Sequence, residues 1–170
     1  SGRIIASYQH WDGYPGGLGY NLCEHWEDKK KVTEAIKLGD SSKWHYIIGD
    51  KVDFDDRDNP MYEVQNVYYG RDRGEKGCGY KVYKDEAEYI KEGFNSGEQY
   101  VYLMKDAGET NYLGKPKFTW FYVESRYTSE GKEVFDKEFK LLEEDAIKEH
   151  IENLKRVLEM REEAKNRKVA

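Results

Sequence analysis

Hydrophobic and polar positions alternate with period two in RIIASYQ at 3–9, placing Ile4, Ala6 and Tyr8 on one face and Ile5 and Ser7 on the other, and this predicts a short strand. The rhythm changes after a glycine-rich stretch. Leu22, Trp26, Val32, Ile36 and Leu38 fall at roughly helical spacing, with a break near Glu27, Asp28 as cap of a second helix and Gly39 as its stop. Residues 49–60, GDKVDFDDRDNP, read as a charged loop with little core-forming content, closed by Pro60. Over 61–70 alternation returns, Tyr62, Val64 and Asn66 opposing Glu63, Gln65 and Val67, and predicts another strand. A glycine-punctuated loop at 70–79, a short strand at 80–83 and a helix opened by Asp85 and closed by Gly93 follow.

The most strand-like runs are EQYVYLMK at 98–105 and KFTWFYVE at 117–124, with DAGETNYLGKP between them as a long hairpin loop. Alternation puts Tyr100 and Tyr102 on one face and Trp120 and Tyr122 on one face of theirs. Those aromatics are core if a helix covers that face and a binding platform if it covers the other; core is the expectation. From Leu141 to about Lys168, Ile147, Ile151, Leu154 and Leu158 form a stripe at i, i+4, i+7, i+11, an amphipathic helix expected to lay that stripe on the sheet. The order of elements predicts an α+β fold, a mostly antiparallel sheet packed by helices. Residues 1–125 are expected to form the core domain and 126–170 a mainly helical extension packed on it.

Composition narrows the function classes. Tyrosine supplies 15 residues, so it carries much of the core and of any contact surface. Thirty-four acidic side chains against 28 basic ones give a net charge of −6, which argues against electrostatically driven binding to duplex DNA. An acidic DNA mimic is a weaker alternative, because the two signs are interleaved. Cys23 and Cys78 are too few for a disulfide framework and read as core residues. No stretch resembles a signal peptide or a membrane-crossing run, so a soluble protein of a reducing cytoplasm is expected.

Two loops hold the candidate chemistry. In HWDGYPGGLG, the glycines allow positive φ and bring amides toward a ligand, so Gly16, Gly17 and Gly19 are candidates to cradle a phosphate or carboxylate, with Trp11 or Tyr14 stacking on a base. The spacing is neither a Walker nor a dinucleotide pattern. In YYGRDRGEKG, Arg71 and Arg73 flank Asp72, and their planar forks suit phosphate or carboxylate. If the loops meet, His10, with a reference pKa of about 6.5, gains a carboxylate such as Asp12 or Asp72 and becomes a candidate acid or base. The structural alternative is an ion pair fastening loops together. The aspartates of DFDDRD lack the glycine and glutamate of a calcium loop, zinc spacing is missing, and no metal or other cofactor is expected.

In order along the chain, YQHWDGYPGGLGYNL, AIKLGDSS, DFDDRD, YYGRDRGE and YVYLMKD resemble a group of small uncharacterised proteins of bacteriophages and prophages. The resemblance covers about residues 4–105, rests mainly on HWDGYP and GRDRGE, and departs where Gly16 and Gly17 follow Pro15 in place of a polar residue. It implies a phage origin, hence action inside an infected host cell, and singles out His10 to Pro15 and Arg71 to Arg73 without assigning roles. The expectation is a non-enzymatic binding protein of host takeover or anti-defence, engaging a host protein or sequestering a phosphorylated, nucleotide-like ligand, with homo-oligomers allowed. A small hydrolase or phosphodiesterase using His10 is the alternative.

Overall fold

The computed structural model describes residues 2–169. Strand β1 (Ile4–Ala6) runs on through Gln9 and a π-helical turn at Pro15–Gly19 into α1 (Tyr20–His25). Helix α2 (Lys29–Lys37) begins where the Asp28 carboxylate accepts the Lys30 and Lys31 amides at 2.8 and 3.1 Å, and ends at Gly39 with φ +88°. Strand β2 (Ser41–Lys43) leads into the charged segment, which departs from expectation at Phe54: its ring is buried beneath the Arg57 and Arg73 guanidiniums.

The alternation at 61–70 does not become a strand. Asn59 accepts the Met61 amide at 3.0 Å and Pro60 occupies the first turn, so Pro60–Glu63 coils into a 3-10 turn. Gln65 makes an isolated parallel bridge with Ile47, and only β3 (Val67–Tyr68) forms a ladder, with β2, before the chain enters α3 (Tyr69–Arg73), where a loop is expected. Strand β4 (Lys81–Tyr83) pairs antiparallel with β1. Helix α4 (Glu86–Asn95), capped by Asp85, runs past Gly93; that glycine instead admits Val101, whose Cγ2 would lie 2.7 Å from an added Cβ.

Strands β5 (Tyr100–Thr110) and β6 (Pro116–Tyr127) extend well into the expected hairpin loop, because Asn111 accepts the Leu113 and Lys115 amides and makes the turn within five residues. Strands β7 (Glu133–Phe135) and β8 (Lys140–Leu141), too short to carry a periodic signal, pair with the far edge of β6 and leave β5 at the end of its sheet. Helix α5 (Glu143–Val169) closes the described chain. None of the helices among the described residues is long and apolar enough to cross a membrane.

Two clusters cover the two faces of the β5–β6 ribbon. On one face Trp120 and Tyr122 pack with Leu22, Trp26, Val32 and Leu142 from α1, α2 and the approach to α5, so these aromatics are core. The Trp26 indole donates to the His45 carbonyl at 2.7 Å and the Trp120 indole to the Trp26 carbonyl at 2.8 Å, so both polar edges are satisfied. On the other face Val101 and Val123 meet Ile90 of α4. The apolar stripe of α5 departs from expectation: Leu154 and Leu158 are 55% and 60% exposed. Helix α5 seats a different face, Ala146, Glu149 and His150, against the glycine turn, and its later turns project from the body.

Candidate functional site

The opening loop is built by its own backbone. The amides of Gly17 and Gly19 donate to the Tyr14 carbonyl and that of Leu18 to the Asp12 carbonyl, which coils Pro15–Gly19 into one wide turn. Positive φ falls on Asp12, at 56°, and on none of the glycines of this loop. An aspartate tolerates that region, and its side chain is held by Lys43 Nζ at 2.6 Å. The glycines instead serve close approach. An added Cβ on Gly16 would stand 3.0 Å from the Glu149 backbone, and one on Gly17 2.6 Å from the Asp12 carbonyl oxygen. The Gly16 amide donates to the Glu149 carboxylate, while the His150 ring stacks on Tyr20 at 3.8 Å and meets the Gly16 carbonyl. The turn therefore does bind an anion, and the anion belongs to α5.

The second loop is likewise occupied. Asp72 is buried and accepts the Val52 amide at 3.0 Å, the Tyr68 amide at 2.7 Å and the Arg71 guanidinium at 2.9 Å. Arg71 spends its remaining donors on the carbonyls of Ile48, Gly49 and Asn66. A buried pair satisfied on every side fixes the chain between β2 and α3; its fork has nothing left for a phosphate. Arg73 pairs with Glu75 and covers the rings of Phe54 and Tyr69.

The two loops do not share a pocket. Asp72 and Arg73 border a hollow of about 490 Å³ with Lys51 and Asp53, whereas His10, Asp12 and Tyr14 lie at the rim of a separate, larger cleft of about 1050 Å³. At that rim His10 Nδ1 is 3.0 Å from the Tyr8 hydroxyl and its ring meets Trp11 edge-on at 4.7 Å. Asp12 turns to Lys43, so the pairing of His10 with Asp12 or Asp72 that acid–base chemistry needs is not formed. Trp11 is 57% exposed and its ring stands free for contact.

The large cleft runs between β1 and β5. Helix α2 contributes Val32 and Thr33, α4 contributes Tyr89 and Gly93, and Trp44 and Trp120 reach it from the core. Tyr102 spans one end, its hydroxyl donating to the Gly13 carbonyl at 2.6 Å. Charges of both signs line it: Lys105 pairs with Glu86 at 2.9 Å and Asp12 with Lys43 at 2.6 Å, whereas Arg3, Lys29, Lys81, Asp40 and Asp106 form no ion pair among the described residues. Glu98 differs: burial, with Asp40 nearby, raises its carboxyl above the ordinary range, and Lys81 only partly opposes this. Cys23 lies outside the cleft, and burial together with Glu143 pushes its thiol up to about 12, far from a reactive thiolate. Among the described residues no three His, Cys, Asp or Glu side chains converge as a metal site would require.

Sequence reasoning thus found the rim of the cleft and missed its walls. Residues 3–9 and 98–105 read as strands, but which strand edge remains unpaired depends on long-range order. Comparison with known proteins finds no family model, no curated protein and no solved structure that matches the chain.

Proposed function

We propose that the protein is a non-enzymatic binding protein of phage origin that engages a host protein through the cleft between β1 and β5. The observation that carries this reading is the cleft itself, about 1050 Å³ of space walled by aromatic and aliphatic residues with charged side chains of both signs among them. Such a cavity suits side chains of a protein segment. A phosphorylated ligand is disfavoured because Arg71 and Arg73 are engaged elsewhere and the Gly16 amide already holds Glu149. The hydrolase alternative loses its acid–base pair to the Tyr8 and Lys43 contacts. The resemblance of HWDGYP and GRDRGE to phage proteins supplies the setting.

Capture of proteins from bacterial host extract tests this, comparing the wild-type chain with Thr33→Trp. Thr33 faces the cleft from α2, and Trp, of similar helix propensity, fills that space. A host protein retained by the wild type and lost with the variant supports the reading. Retention unchanged by the variant contradicts it. Calorimetric heat with a nucleotide or cyclic dinucleotide also contradicts the choice of partner.

A further inference from the structure

Granted the binding function proposed above, the cleft has the form of a strand slot. Strand β5 ends its sheet; β1 has β4 as its ladder partner, and its continuation over Tyr8–Trp11 bonds the backbone of Ser41 and Ser42. Every residue from Gly2 to His10 and every residue from Glu98 to Asp106 lines the same cleft. Both strands therefore border one space, and the backbone bonding of β5 decides which of its groups face it. Helices cover the slot on both sides, α2 packing on the Trp120 face of the ribbon and α4 on the Val101 face.

Backbone bonding identifies the groups at the β5 edge. The Ser125 amide donates to the Gln99 carbonyl at 2.9 Å, so residues 101, 103 and 105 bond β6. Tyr100, Tyr102 and Met104 consequently turn their amides and carbonyls toward the cleft. The Tyr89 hydroxyl, donating to the Tyr102 carbonyl at 2.7 Å, agrees with that direction and shows that a donor reaches this edge. Among the described residues, no other hydrogen bond meets the backbone of Tyr100 or Met104 from the cleft side. Unpaired edge groups inside a covered slot are a template for one more strand.

Size and charge define the occupant. With a rise near 3.3 Å, a strand spacing near 4.8 Å and sheet packing near 10 Å, one strand residue fills about 160 Å³, so the cleft holds about six. The Glu98 carboxylate, at one end of the β5 edge, makes no hydrogen bond or ion pair among the described residues; Asp40 is a neighbour of the same sign and Lys81 offsets the two only in part, so a lysine or arginine of the occupant would complete the neutralisation. A second copy of this chain is a poor donor, since each of its described strands has a partner on at least one edge and the slot takes a strand free on both.

We propose that the cleft takes up an extended segment of a partner protein as an added strand between β1 and β5, with apolar side chains at alternate positions and a basic residue beside Glu98. The probe is a displayed library of linear ten-residue peptides, selected on the full chain and counter-selected on Thr33→Trp. Selected peptides are expected to alternate apolar residues, to slow amide exchange at Tyr100 and Met104 at least tenfold, and to lose affinity at least tenfold when N-methylated at the paired amides. Glu98→Gln should weaken peptides that carry the basic residue severalfold. Cleft-dependent peptides that leave the Tyr100 and Met104 amides exchanging at the free rate overturn the added strand while leaving the binding reading in place. A selection that yields no cleft-dependent peptide also overturns it, and the host-protein capture then decides the binding reading separately.

Discussion

The loops HWDGYPGGLG and GRDRGE differ from the strands at 3–9 and 98–106 in the opposite sense to their chemistry. The loops hold the residues that ligand sites are made of, and nearly all of those groups are spent inside the molecule: Glu149 sits on the Gly16 amide, Asp72 on Arg71, Lys43 on Asp12. The strands hold ordinary apolar and aromatic residues, and it is there that backbone groups and a large cleft are left open. A side chain able to grip a phosphate is equally able to grip its own chain, so motif chemistry alone does not mark the free surface. The free surface is marked by the inventory of bonds still unmade.

The contrast breaks first at Asp72. If the GRDRGE segment holds the fold, Asp72→Ala strands the Arg71 guanidinium and the Tyr68 and Val52 amides, costing about 3–5 kcal/mol. Thermal unfolding should fall by about 10 °C for a chain of this size. An unchanged melting temperature would make this segment a candidate ligand site again.

Gly16→Ala sharpens the same side of the comparison. The added methyl meets the Glu149 side chain at 2.9 Å and its backbone at 3.0 Å, and α5 must shift away. The expected loss is about 1–3 kcal/mol, read as a lower urea midpoint with unchanged slope. A neutral outcome would mean that the seat of α5 on the glycine turn is loose.

On the cleft side, Glu98 carries a stability signature. A carboxyl whose folded pKa is raised binds more protons folded than unfolded, so its contribution is favourable below the ordinary value of 4.5 and is lost as pH rises through the raised one. Glu98→Gln is therefore expected to raise the melting temperature at pH 7 and to match the wild type at pH 4, by calorimetry at the two pH values. A variant less stable at pH 7 would show Glu98 to be paired within the fold. The smallest effect is expected from Arg73→Ala: its pair with Glu75 is exposed, but its guanidinium also covers Phe54 and Tyr69, so the urea midpoint should fall slightly.

Much of this fold was legible in the chain. Asp28 and Asp85 cap the helices they precede, Gly39 ends α2, and the tyrosine and tryptophan alternation of β5 and β6 puts Trp120 and Tyr122 in the core as expected. Failures occurred where a side chain overrode local pattern. Asn59 and Pro60 coil the segment after 60, and the Asp72 carboxylate takes the Tyr68 amide, so two residues of strand survive from an expected ten. The α5 stripe misled for a related reason: the seat of the helix is set by a glycine that admits its backbone and by polar contacts, not by its leucines. Of the candidate site, sequence marked His10, Asp12 and Tyr14 at the rim of the cleft. The open edges of β1 and β5 are a property of strand order, which periodicity does not encode.

The central claim is that the cleft binds while the motif loops hold the fold. It is tested most directly by measuring the affinity of a cleft-selected peptide for wild type, Thr33→Trp and Arg73→Ala side by side, with melting temperatures as the control. The account predicts that Thr33→Trp abolishes binding while remaining folded and that Arg73→Ala binds as the wild type does. Binding that survives Thr33→Trp and is lost with Arg73→Ala would contradict it.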